Sequence, residues 1–185
     1  MYNYPYSSYP YIPNVPINHY RSYPAYGGTP NQMPVYYNHP PFYHPYRNDQ
    51  NMSSDFGGRP FVTDINQATL QNDTFRTAVW TGEHLQLTLM SIDVGDDIGL
   101  EMHPDVDQFL RIEQGEGIVQ MGPEKDQVTF QQNASDDYAV FIPAGTWHNL
   151  TNTGNVPLKF YSIYAPPNHP FGTVHKTKAD AIAAE

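Results

Sequence analysis

The chain has 185 residues and a formal net charge of −10, enough for one domain with a tail. That sign of charge argues against a nucleic-acid partner, because phosphate binding needs a basic surface. There is no Cys, which excludes disulfides, zinc–thiolate sites, iron–sulfur clusters and a cysteine nucleophile. No apolar run approaches the ~20 residues of a membrane span, so no membrane partner is expected. The start, MYNYPYSSYP, lacks the basic and apolar regions of a signal peptide. A cytoplasmic location is the expectation.

The composition changes sharply along the chain. Residues 1–48 hold 12 of the 15 Tyr and 10 of the 18 Pro, with Arg21 and Arg47 as their sole basic residues and no acid. Pro recurs too often there for regular helix or central strand. The expectation is a disordered, polyproline-II-like extension over 1–60 with its linker, followed by a folded domain over 61–185. The tract resembles, in composition, the Tyr/Pro-rich segments of bacterial spore-coat proteins, which makes the spore coat the alternative location.

From Asp64 onward regular elements are expected. DINQATLQND carries an Asp cap and helical spacing, predicting a short helix over 64–72. Period-2 patterning and short apolar runs then predict strands at 75–80, 84–92, 97–103, 108–113, 117–121, 127–131, 138–142, 147–152 and 157–164. Short strands at this spacing, without alternating helices, predict an all-β fold: a single antiparallel β-barrel or jelly roll. The final KADAIAAE is compatible with a short helix.

Two stretches concentrate the chemistry. In residues 95–115, Gly95 is followed by five residues, Glu101-Met102-His103, four residues, Gln108, six residues and Gly115. In residues 137–152, Asp137 is followed by five residues, Pro143-Ala144-Gly145, two residues, His148, three residues and Asn152. Both spacings resemble the paired motifs of the cupin superfamily. Glu101 stands where that family usually has its first His, Gln108 where it has Glu, and Asp137 where it has Gly. The resemblance implies a cupin barrel over most of 75–165. It does not choose a reaction, since the family includes isomerases, dioxygenases, decarboxylases and binding proteins.

The resemblance also implies a metal site of Glu101, His103, Gln108 and His148. On a strand, Glu101 and His103 point to one face and Met102 to the other. Gln108 opens the next strand on the face of Leu110 and Ile112, and His148 follows the Pro143–Gly145 turn. Two imidazoles, a carboxylate and an amide oxygen suit a divalent first-row ion: Mn, Fe, Co, Ni or Zn. The alternative is a hydrogen-bonded polar core without a metal. Asp105 and Asp107 are expected in a loop, since Pro104 interrupts the strand.

Relatives with this motif pair are often labelled mannose-6-phosphate isomerases. With Arg111 as the sole basic residue inside the motifs, the expectation is instead a neutral or weakly acidic small molecule held by the metal in an otherwise apolar interior. Arg111 is expected on the outer surface, and Tyr161 or Tyr164 facing the pocket. Residues 165–180, with His169 and His175, are expected either as a lid over the barrel mouth or as an arm joining a dimer. Apolar positions near Trp80, Trp147 and Phe160 predict a homodimer. Two functions follow: a metal-dependent enzyme acting on a small oxygenated molecule, or a structural protein that works through its Tyr/Pro tract.

Overall fold

The computed structural model describes residues 55–184; the expectations for the Tyr/Pro tract lie outside the described residues. The fold is a cupin-type jelly roll built from two antiparallel sheets. After helix α1 (Ile65–Gln71) come β1 (Arg76–Thr81), β2 (Gln86–Ile92), β3 (Asp107–Gln114), β4 (Glu116–Gly122), β5 (Phe130–Ser135), β6 (Ala139–Ile142), β7 (Trp147–Asn152), β8 (Leu158–Ala165), β9 (Val174–His175) and helix α2 (Lys178–Ala184). One sheet has the order β6-β3-β8-β2-β1-β9 and the other β5-β4-β7. The sheets are separate ladders, so the barrel is closed by packing rather than by continuous hydrogen bonding.

The core lies between the sheets. Met90, Ile92, Leu110, Ile112, Leu158 and Phe160 from the larger sheet meet Val119, Ala134 and Leu150 from the smaller. Each fully buried aliphatic or aromatic side chain contributes about 1.5–3 kcal/mol. A second cluster, Ala68, Val79 and Leu89, packs α1 onto the outer face of β1 and β2. Helix α1 begins where expected, with the Asp64 carboxylate accepting from the Gln67 N–H at 3.0 Å. That capping bond satisfies one of the open donors of the first turn.

Three expectations change. The predicted strand 97–103 is reduced to two isolated bridges, Asp97 with Thr151 and Glu101 with His148. Gly99 takes the left-handed region at φ +90°, and the Asp97 side chain accepts from its N–H at 2.8 Å. This local turn competes with a ladder. Residues 55–60, expected as the end of the extension and its linker, are fixed to the sheet at their start: Phe56 N–H donates to Val79 O, and buried Asp55 accepts from Thr81 and from the Gly172 N–H. Phe160, expected near an outward dimer face, is fully buried.

The left-handed positions also account for part of the motif spacing. Asp137, at the position where the family pattern has Gly, has φ +69°, a conformation that glycine adopts without steric cost. Its carboxylate accepts from Arg111 Nη2 at 2.5 Å. Asn152, the last residue of the second motif, is buried and donates to Ile92 O and Val156 O. That clamp holds the end of β7 against the entry to β8.

Candidate metal centre

The loop carrying Glu101 and His103 is held to the turn carrying His148 by backbone bonds. Glu101 N–H donates to His148 O at 3.0 Å, His148 N–H to Glu101 O at 2.9 Å, and Gly145 N–H to His103 O at 2.8 Å. Gly145 supplies the turn with φ +76°. Residues more than 40 positions apart in the two motifs are thereby registered at the level of single peptide groups.

The side chains converge. Glu101, His103 and His148 each offer a ligand atom, and these atoms lie within 4.8 Å of one another. Oε1 of Glu101 is 3.5 Å from Nε2 of His103 and 3.5 Å from Nε2 of His148. Nδ1 of His148 is 2.9 Å from Thr146 O. A carbonyl only accepts, so Nδ1 carries the proton, and in the neutral ring Nε2 holds the lone pair. The Nε2 atoms of both His103 and His148 are buried without a hydrogen-bond partner. Burial pushes the Glu101 carboxyl up, but the imidazoles of His103 and His148, in the form in which Nε2 carries a proton toward Oε1, and the Arg76 guanidinium outweigh it and hold it at about 2. Glu101 is therefore a carboxylate at neutral pH.

These residues fit a divalent ion. Two orphaned imidazole nitrogens beside an ionised carboxylate are a donor set that a first-row cation satisfies directly. A polar core would offer both buried nitrogens only one shared partner, Glu101 Oε1, at 3.5 Å. Gln108 is buried on β3, opposite Tyr164 of β8. Its Nε2 donates to Ser162 Oγ at 3.0 Å, and its Oε1 is buried with no hydrogen-bond partner. Asp107 stays outside the group, accepting from the Ala144 N–H, and Asp105 is exposed.

The wall of the site departs from the expected apolar interior. A cavity of about 510 Å³ reaches Glu101 and His103 and is lined also by Arg76, Lys125, Trp147 and His169. Arg76 is 1% exposed, with Nη2 at 3.8 Å from Oε2 of Glu101. Met102 lines the same cavity rather than the opposite face, because the segment is not a strand. Trp147 lines it too, with Lys125 Nζ 5.5 Å above its ring. Tyr164, rather than Tyr161, belongs to the site: its ring meets His103 edge-on at 5.7 Å and His169 at 5.0 Å. Burial pushes its phenol up, so it stays protonated at neutral pH. Arg111 lies on the outer surface as expected, paired with Asp137 and Glu113.

Residues 166–184 fold over this cavity within the chain. Asn168, His169, Pro170 and Thr173 line it, and β9 pairs with β1, setting His175 opposite Arg76. Gln86, fully buried, accepts from the N–H groups of Asn168 and His169 and donates to His169 O. Lys178 reaches back to Asp96 and Asp97 in the first motif. Within the chain, this placement is the one expected of a lid. Burial pushes the His169 imidazole down, with Arg76 adding to the effect, to about 3.

Arg76 escaped the sequence reading. All of the first four β1 residues are buried, because both faces of the strand are covered. Strand alternation then says nothing about which side a residue faces.

The cupin domain family model matches residues 88–164. The uncharacterized protein YrkC of Bacillus subtilis (strain 168) is 61% identical over 161 residues, 87% of each chain. The uncharacterized protein L612 of Acanthamoeba polyphaga mimivirus is 40% identical over 62% of this chain and 70% of its own length. Among solved structures, BH2720 of Bacillus halodurans shares 65% identity at a TM-score of 0.70, covering 70% of this chain and 98% of that one. The motif spacing, the two-sheet jelly roll and these relatives agree: the chain belongs to the cupin superfamily.

Proposed function

We propose that this cupin holds a divalent first-row metal through Glu101, His103 and His148, with Gln108 as a weaker fourth ligand, and that it acts on a small oxygenated molecule in the cavity above them. The observation that carries this reading is the pair of buried, hydrogen-bond-free Nε2 atoms facing one ionised carboxylate. Two neutral imidazoles and one carboxylate leave positions open for water or a ligand. Such a metal supplies Lewis-acid polarisation or a platform for oxygen chemistry.

The chain's own groups have separable tasks. Asn168, His169, Pro170 and Thr173 of the lid form part of the cavity wall and narrow its access to water. The neutral His169 imidazole lines the cavity, with the buried Tyr164 ring behind it against His103 and His169. Trp147 and Met102 supply the apolar surface against which a small ligand packs. The test is elemental analysis of the protein purified without chelator and re-supplied with Mn, Fe, Co, Ni or Zn. One equivalent of metal per chain is expected. No stoichiometric uptake under any supply would return the site to a polar core.

The same reading includes a homodimer formed through an outer sheet face. An apolar groove of about 470 Å³ is lined by Phe61, Ile65, Trp80, Leu87 and Tyr161, and Leu85 and Phe141 are exposed. Burying it in a second copy removes apolar surface from water. Light scattering at tens of micromolar (about the concentration that populates a specific dimer) is expected to show twice the chain mass; a monomer alone would refute the pairing.

A further inference from the structure

The cavity is lined by a guanidinium whose Nε has no hydrogen-bond partner among the described residues. Arg76 is almost wholly buried, yet its Nε has no hydrogen-bond partner. Its one ion-pair contact among the described residues is Glu101 Oε2 at 3.8 Å, beyond hydrogen-bond length. The Phe75 ring lies 5.6 Å from its Cζ. A guanidinium carries five N–H donors in a planar fork and stays charged in any protein environment. Buried charge of this kind is retained where an anion completes it.

Glu101 is poorly placed to be that anion. Its other oxygen, Oε1, already faces both imidazole Nε2 atoms at 3.5 Å. If a metal holds the carboxylate, as the proposed function has it, Arg76 loses the larger part of its countercharge. Lys125 adds a second positive group on the cavity wall, above Trp147. The overall acidity of the chain is therefore reversed locally, in a space lined by Arg76 and by residues of the 166–184 segment.

We propose that the cavity binds a small carboxylate, its carboxyl group engaged by the Arg76 guanidinium beneath the 166–184 lid. The planar fork of Arg76 matches the two oxygens of a carboxylate. A phosphate ester fits less well. Among the residues lining the cavity none is Gly, so no glycine-rich loop presents backbone N–H groups to a phosphate. Leu100, Met102, Trp147 and Pro170 make much of the remaining wall apolar, which suits a short carbon skeleton attached to the acid. This names the ligand class of the site described above, and it narrows the neutral or weakly acidic molecule expected from the sequence to an acid.

The test is calorimetric titration of the full chain, metal-free and manganese-supplied, with malonate, its neutral analogue malonamide and inorganic phosphate. Malonate is expected to bind at least ~10-fold more tightly than malonamide, the discrimination of a charge-assisted pair. Arg76→Gln should weaken malonate by at least ~10-fold while leaving malonamide unchanged. Arg76→Lys, which keeps the charge and loses the fork, should fall between the two. Thermal melts check folding, and if Arg76→Gln does not fold, Arg76→Lys decides. Equal binding of malonate and malonamide, variants that match wild type, or phosphate ~10-fold tighter than malonate would each overturn the proposal. Elemental analysis of the same samples keeps this result separate from the metal. A protein that takes up metal but ignores malonate refutes the carboxylate alone. One that takes up none and still discriminates malonate through Arg76 refutes the metal alone.

Discussion

The Gly145 N–H donates to the His103 carbonyl at 2.8 Å, joining the turn of one motif to the ligand-bearing loop of the other. Gly145 has φ +76° with open space around its Cα, so what a side chain there would meet is backbone strain rather than a neighbour. Gly145→Ala should therefore cost about 1–2 kcal/mol, and the loop carrying Glu101 and His103 should loosen with it. Chemical denaturation and metal titration of the variant measure both effects. An unchanged metal affinity would show that the two motifs are held together by other bonds.

His148 and Gln108 should differ as ligands. His148→Ala removes an imidazole that is 1% exposed and should abolish stoichiometric metal. Gln108→Ala removes a neutral amide, a weak donor to a first-row ion, and should retain metal at reduced affinity. Elemental analysis of both variants after manganese or nickel supply checks the order. Equal loss in the two would make Gln108 a full ligand.

Gln86 pins the lid through three bonds to Asn168 and His169. Gln86→Leu preserves the bulk and removes the bonds, leaving buried backbone groups unsatisfied at a cost of about 1–3 kcal/mol. Hydrogen exchange should accelerate over residues 166–175 and stay unchanged in β3 and β8. Uniform protection across these segments would mean that the lid is held by β9 and Lys178 alone.

Acid should destabilise the metal-free protein in two stages. The folded-state values of His169 (about 3, against 6.5) and Glu101 (about 2, against 4.5) both lie below the unfolded ones. As pH falls, the unfolded chain takes up each proton first, so stability is present above the unfolded value and lost below it. His169 acts from pH 6.5 downward, among Arg76, Glu101, His103 and His175, with a slope of at most about 1.4 kcal/mol per pH unit. Glu101 joins below pH 4.5. His169→Gln should flatten the profile between pH 6.5 and 4.5 and leave the lower stage. Denaturation midpoints across that range provide the measurement.

Asp137 holds a left-handed backbone at φ +69° in exchange for one exposed ion pair with Arg111. Exposed pairs contribute between zero and about 1 kcal/mol, whereas a β-branched residue in this conformation costs about 1–2 kcal/mol or more. Asp137→Gly should be neutral or slightly stabilising, and Asp137→Val destabilising. Thermal melts of the two variants, read against wild type, decide it.

Much of this protein is written locally. The strands expected at 108–113, 147–152 and 157–164 reappear within a residue or two, because one-sided burial forces period-2 alternation onto the chain. The spacing of Glu101, His103 and His148 carries the candidate centre, since turn geometry at Gly145 is itself a local property. What the tertiary structure decided has no local signal. Arg76 enters the cavity from a strand buried on both faces, where alternation is silent. Met102 turns to the cavity because Gly99 and the Asp97 turn break a strand that the apolar pattern had continued. His169 reaches Tyr164 only because Gln86, 83 positions earlier, holds its backbone. Such contacts depend on chain segments meeting across the fold, and periodicity along the chain does not encode them.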